Sequence, residues 1–392
     1  MKFDLFAIVV GTLTAGSIGL GACGADADLP KRAKPDSAAA TSAVATPDPA
    51  PVTRPWVPKP IVVAPDPNAA ATRALADSAR ADSARTDSVH ADSIAAAGGI
   101  VPKAARRKLA PGEKRRYVLS PADSARWPVK GPAPLPGALL PETRIVAFYG
   151  NPKSTRMGIL GQLPPAEMLP RLEQIATEWA TAEPGRKIMP ALHLIATVAQ
   201  GKPGRGDKYR LRHSDQLIEQ VLGWAEERGW VVFLDVQIGH STVPDELPHL
   251  VKYLERPYVH LALDPEFAMK LGGIPGQRIG TLDATDINYA VRLLADIVER
   301  TKVPPKVLVV HRFTQRMLTN HDQIKLDSRV QVVVDMDGFG APWLKEDAYK
   351  FFIVPEPVQY TGFKLFFKND KPMMTPEQVI KLWPVPLYIQ YQ

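Results

Sequence analysis

The sequence predicts an α/β fold, a (β/α)8 barrel preceded by a disordered low-complexity tether, and three observations lead there. After Pro141, eight apolar runs of strand length alternate with segments of helical period over roughly 250 residues, the count and size of a closed parallel barrel. The runs are apolar enough to be buried, as strands flanked by helices must be. Before about residue 118 the chain is instead rich in Ala, Pro, Asp, Ser and Arg, with too few large apolar side chains to offset the entropy of ordering it. An open doubly wound sheet is the other architecture this alternation allows.

At the N-terminus, Lys2 precedes an apolar stretch from Leu5 to about Leu20 and then Leu20-Gly21-Ala22-Cys23. So short a core fits a cleaved signal over residues 1–22 better than a membrane span, which needs about 20 apolar residues. The Leu20 to Cys23 run resembles the lipobox of bacterial lipoproteins. That resemblance implies that Cys23 carries a diacylglycerol and becomes the mature N-terminus, so that the protein is exported and anchored to a membrane through its lipid. Gly24 stands where an Asp would favour inner-membrane retention, so the outer membrane is expected in a host with two membranes. Cys23 is the single cysteine, which excludes a disulfide framework and a Cys-based zinc site.

Residues 23–117 read as the tether. Ala76-Asp77-Ser78-Ala79-Arg80 is followed by Ala81-Asp82-Ser83-Ala84-Arg85, then Thr86-Asp87-Ser88 and Ala91-Asp92-Ser93. A five-residue period advances each unit by about 140° around a helix, so no apolar stripe forms and the repeat is no solenoid. Prolines from Pro47 to Pro67 stiffen the part nearest the lipid. The net charge of +7 is nearly all local: within 103–116, Lys103, Arg106, Arg107, Lys108, Lys114, Arg115 and Arg116 face only Glu113. The rest of the chain lacks the basic face that nucleic-acid binding needs. The patch either touches anionic headgroups or wall polymers, or simply keeps the tether solvated.

The barrel domain is placed at 118–392. Its strands are expected at Arg144–Tyr149, Ile188–Ile195, Trp230–Gln237, Tyr258–Asp264, Lys306–His311, Val330–Asp335, Phe351–Pro355 and Pro386–Tyr391. Helices are expected near 165–182, 214–229, 244–255, 285–301, 313–319, 342–349 and 375–382. No helical segment follows the eighth strand. Ser120 at an N-cap and Pro121 at the first helical position begin a short helix through Trp127, which either covers that side or serves as linker.

In such a barrel, chemistry belongs to the C-terminal strand ends. Strand one ends in Tyr149-Gly150-Asn151, strand two reaches His193, and strand three ends in Asp235 and Gln237. Strand four ends in Asp264 and Glu266, strand five in His311-Arg312, strand six in Asp335 and Asp337, and strand seven in Glu356; strand eight carries Tyr388 and Gln390. Residues two apart share a face, so Asp264 with Glu266, and Asp335 with Asp337, project together. Any one of these residues suits a turn. Carboxylates on four strands, converging on one mouth, repel one another unless substrate, metal or a nearby cation compensates them.

This layout resembles the (β/α)8 glycoside hydrolases, above all the clan whose acid/base Glu ends strand four and whose nucleophile Glu ends strand seven. The resemblance implies Glu266 and Glu356 as that pair, with Asp264, Asp335 or Asp337 as other sources of the second carboxylate. It departs from the clan at Pro265, where an Asn is usual, and in the setting Pro355-Glu356-Pro357. Asp264-Pro265-Glu266 is also similar to the Asp-x-Glu of chitinase-like and lysozyme-like barrels, without their longer motifs. Substrate contacts are expected from Tyr149, Asn151, His193, Asp235, Gln237, His311, Arg312, Trp343 and Tyr388, with Trp343 and Tyr149 as exposed stacking platforms. A polysaccharide or cell-wall glycan is the partner implied, the protein acting as a monomer without cofactor.

Two other readings stand beside it. One is a metal-dependent, phosphodiesterase-like hydrolase using Asp235, Asp264, Glu266, His193, His311 and Asp335 around a divalent ion, although no metal motif has the required spacing. The other is a non-catalytic carbohydrate-binding or cell-wall-binding lipoprotein. Gly201-Lys202-Pro203-Gly204-Arg205-Gly206 lacks the order of a phosphate loop, and no Gly-x-Ser-x-Gly elbow is present.

Overall fold

The structure, a computed structural model, describes residues 55–65 and 120–392. The predicted signal peptide, Cys23 and the basic patch lie outside the described residues. The chain folds as a TIM-type barrel of eight parallel strands: β1 Thr143–Gly150, β2 Lys187–Ala199, β3 Val231–Val236, β4 Val259–Leu263, β5 Lys306–Arg312, β6 Val330–Met336, β7 Tyr360–Leu365 and β8 Tyr388–Tyr391. Each strand pairs with the next. Ile145 of β1 stands opposite Tyr388 of β8, so the sheet closes and the doubly wound alternative is excluded.

Among the described residues, four helices of three turns or more lie around the barrel. They are α1 Pro165–Ala182, α2 Asp215–Glu226, α3 Ala284–Thr301 and α4 Pro342–Phe352. Their starts follow from local chemistry. Pro165 and Pro342 occupy first-turn positions where a missing N–H costs nothing. Ser214 accepts a hydrogen bond from Leu217 N, and Asp283 forms a capping box with Asp286. The helix expected at 244–255 is broken into the short turns Val243–Glu246, Leu247–Leu250 and Val251–Leu254. Pro248 lies within them and cannot donate to a continuous ladder.

Two further sequence expectations are corrected. Phe351–Pro355 is not strand seven. Lys345, Tyr349 and Phe352 are buried at helical spacing, so Phe351 and Phe352 finish α4. The true seventh strand, Tyr360–Leu365, contains Gly362 and Lys364 and therefore lacks the apolar run by which its neighbours stand out. The helix expected at 313–319 is a single turn, Gln315–Met317, followed by Leu318–Thr319 pairing in parallel with Leu282–Asp283. A left-handed Asn320 ends that segment.

On the β8 side, α1 contributes Trp179, which donates from Nε1 to Tyr391 Oη at 2.9 Å. The short helix Pro121–Ala125 does form, with Ser120 Oγ accepting from Asp123 N at 3.0 Å. It docks elsewhere, however: Trp127 Nε1 donates to Val354 O at 2.9 Å and Arg126 to Pro355 O at 2.7 Å. Within the stretch read as tether, residues 56–65 pack across the barrel floor. Lys59 N donates to Gly229 O at 3.0 Å, Ile61 exchanges backbone hydrogen bonds with Ile188, and Trp56 stacks on Tyr258 at 5.6 Å.

Trp56 is half-buried on that floor, so Trp56→Ala is expected to cost about 2 kcal/mol, roughly half the loss at a fully buried Trp. Val62→Ala, at a position 51% exposed, should change stability by less than about 0.5 kcal/mol. Urea denaturation of the two variants checks the difference.

Candidate active site

Strand alternation sends two tiers of polar side chains into the barrel. The inner tier comprises His193, Asp235, His311, Asp335, Tyr388 and Gln390, all fully buried. The register explains the grouping: His311 stands directly beside Asp335, and Asp335 beside Gly362. Gly362 is required there, because a Cβ would lie 2.5 Å from Asp335 Oδ1. The outer tier, toward the C-terminal strand ends, holds Tyr149, Gln237, Asp264, Glu266, Asp337 and Lys364.

In the inner tier His311 is surrounded by acids. Its Nδ1 is 3.3 Å from both Asp335 Oδ2 and Asp337 Oδ2, and its Nε2 is 3.6 Å from Asp235 Oδ2. Burial alone would strip its charge, but the three carboxylates outweigh that and hold it well above the ordinary histidine range. His193 behaves oppositely: burial pushes it down to about 4 against the raising effect of Asp235. Its Nδ1 lies 2.6 Å from Tyr388 Oη and 3.0 Å from Gln390 Nε2, and its Nε2 lies 3.4 Å from Asp235 Oδ2. Burial would raise Asp235, yet the two histidines bring it below the usual carboxylate range. Asp335 is shifted up, chiefly by burial.

The outer tier separates its acids. Lys364 Nζ contacts both oxygens of Asp337, at 2.9 and 3.1 Å, and sits 3.9 Å above the Tyr149 ring. Despite burial, Lys364 and His311 keep Asp337 below its ordinary value. Asp264 accepts from Gln237 Nε2 at 3.2 Å and from Glu266 N at 3.1 Å. Burial first, and then neighbouring acids, push Asp264 up to about 7. Glu266 sits at the lip, partly exposed, where loss of hydration followed by the charges of Asp264 and Asp337 pushes it up to about 8. One mouth thus contains a carboxyl kept protonated at neutral pH and a carboxylate kept ionised, the division of roles that acid and base chemistry needs.

Of the sequence-predicted residues, Glu266, Asp264, Asp337, Gln237 and Tyr149 meet at this mouth, with His193, Asp235, His311, Asp335 and Tyr388 beneath it. Glu356 does not join them. It follows α4 rather than strand seven, and it is bound by Arg312 and Gln315, with His321 Nδ1 at 3.3 Å. Arg312 follows inward-facing His311 by one residue, so it projects to the outside of the wall and contacts no mouth residue. Asn151 serves a turn, accepting from Lys153 N at 2.9 Å, with its Nδ2 2.7 Å from His213 Nε2. Tyr149 is 4% exposed and so is no open platform, because Lys364 and His193 occupy its faces. Trp343 and Phe339 are exposed, at 42% and 59%, on the segment that follows β6.

Sequence reasoning missed Lys364. The signal available was the alternation Tyr360-Thr361-Gly362-Phe363-Lys364-Leu365, which puts Gly362 and Lys364 on one face. It also missed Lys345 and Asp370, paired at 2.9 Å. Lys345 donates to Gly338 O and Lys364 O, and Asp370 accepts from Gly340 N, fixing the loop after β6 to the end of β7.

No family model matches the chain, and no curated protein matches it. Because a barrel hosts many chemistries, the site's own geometry is what bears on function.

Glu356→Gln leaves the buried Arg312 uncompensated. A stability loss near the lower end of about 3–5 kcal/mol is expected, since Glu356 itself is partly exposed. Thermal denaturation reads the loss, and any turnover by the mouth should keep its kcat.

Proposed function

We propose that this chain is an exported, membrane-anchored lipoprotein whose barrel cleaves glycosidic bonds in a polysaccharide or cell-wall glycan, with Glu266 as general acid. One observation carries the reading: Glu266, in the turn Pro265–Phe267 that follows the fourth strand, has its carboxyl pushed up to about 8, beside Asp264 and near the Lys364-paired Asp337. Cleavage of a glycosidic bond needs one carboxyl to protonate the leaving oxygen and one ionised carboxylate to attack the anomeric carbon or activate water. Glu266 supplies the first. Asp337, its charge compensated by Lys364, takes the second role in place of Glu356. Phe339 and Trp343 offer apolar faces for sugar rings beside the mouth. Anchorage rests on the Leu20 to Cys23 run, and among the described residues no helix is long and apolar enough to cross a membrane.

Turnover is tested by screening the full chain against wall and storage polysaccharides. Glu266→Gln should lower kcat by about 10²–10⁴-fold. A general acid works only while protonated, so turnover should persist through neutral pH and fall as pH rises through about 8. Wild-type turnover in Glu266→Gln contradicts the assignment, and glycan binding without any turnover favours the non-catalytic reading.

Anchorage is tested separately. Cys23→Ser should move the protein from the membrane fraction to the soluble exported fraction; unchanged membrane association contradicts a lipid on Cys23.

A further inference from the structure

On the barrel axis, beneath the mouth, three donor atoms face one another without protein partners. His193 Nε2 and His311 Nε2 lie 3.4 and 3.6 Å from Asp235 Oδ2. Neither nitrogen and neither oxygen of Asp235 makes a hydrogen bond within the protein. All three side chains are fully buried. A buried polar atom left unpaired costs about 1–3 kcal/mol, and more if charged. Three converging on one point therefore call for an occupant.

We infer that a divalent first-row transition-metal ion binds between His193, Asp235 and His311. The spacing fits: two ligands each about 2.1 Å from a zinc-sized ion, at the tetrahedral angle, stand about 3.4 Å apart. Among the described residues, this trio brings one ligand atom from each side chain within 4.8 Å of the others. The far sides of both imidazoles are also held as metal-ligating histidines require. His193 Nδ1 meets Tyr388 Oη at 2.6 Å, and His311 Nδ1 meets Asp335 and Asp337 at 3.3 Å. An ion on the Nε2 side selects the tautomer with the proton on Nδ1, where His193 faces Tyr388 Oη, which also accepts from Gln390 Nε2 at 3.0 Å, and His311 faces the two carboxylates.

Small residues make room for this arrangement. Ala262 stands beside Asp235, and Gly362 admits the Asp335 carboxylate that backs His311. Two imidazole nitrogens with one carboxylate suit zinc, cobalt or manganese rather than magnesium or calcium, which take oxygen shells. Tyr149, tilted over His193 at 5.2 Å and edge-on to His311 at 6.0 Å, separates the ion from the mouth. The site is independent of glycan cleavage and stands even if the barrel turns over no sugar.

The test uses the full chain, stripped with a chelator and titrated with cobalt(II) and then with zinc. One equivalent of cobalt should bind with the visible absorption of a nitrogen-ligated ion, and zinc should raise the melting temperature. His193→Gln and Asp235→Asn should each weaken binding by about 100-fold or more, beyond the effect of losing an outer-shell partner. X-ray absorption of the zinc-loaded wild type needs no variant to fold and should read two imidazoles in the first shell. A folded wild type that gives no cobalt absorption and no zinc shift overturns the site. So does a first shell with fewer than two imidazoles, or unchanged affinity in both folded variants.

Discussion

Three carboxylates converge on His311 in the middle of the barrel, and much of the interior is arranged around that contact. Asp235 comes from β3, while Asp335 and Asp337 come from β6. All three are buried, so their charges need compensation by protein groups or by an ion. His311 is within 3.6 Å of all three. The register between β5 and β6 places His311 beside Asp335, and a one-residue slip would turn these side chains out of the barrel. Gly362 on β7 and Ala262 on β4 supply the space.

From that column the electrostatics of the mouth follow. Asp337 is shared between His311 below and Lys364 beside it, which keeps it ionised although buried. Its charge, with that of Asp264, reaches Glu266 and adds to the effect of lost hydration in holding the Glu266 proton. Two carboxyl groups in one mouth therefore differ because one has a cation and the other has acids for neighbours. The loop after β6 holds its place through Lys345 and Asp370, which tie Gly338 and Gly340 to β7. The exposed Phe339 lies between those two glycines.

Most of the barrel was legible in the sequence because seven of its strands are buried on both faces and read as apolar runs. The seventh strand was not, because its inward positions hold Gly362 and Lys364, which fit Asp335 and Asp337 rather than an apolar layer. Reading the end of α4 as that strand carried Glu356 into the predicted mouth and left Lys364 out. The pairing of acids after strands four and six was legible: alternation puts Asp335 with Asp337, while Asp264 and Glu266 come together through the turn Pro265–Phe267 that Asp264 caps. Which of them would be charged was not, because that depends on Lys364 and on the depth of each side chain. Arg312 was misplaced for a simpler cause: it neighbours His311 in sequence and so faces the opposite side of the wall.

The barrel's interior keeps Glu266 protonated at neutral pH while Asp337 stays ionised. Infrared difference spectroscopy across a pH titration, comparing wild type with Glu266→Gln, measures this directly. A protonated-carboxyl band present in the wild type, absent in the variant and disappearing with a midpoint near pH 8 is the result the structure predicts. A Glu266 band that vanishes in the ordinary carboxylate range, near pH 4 to 5, would contradict it.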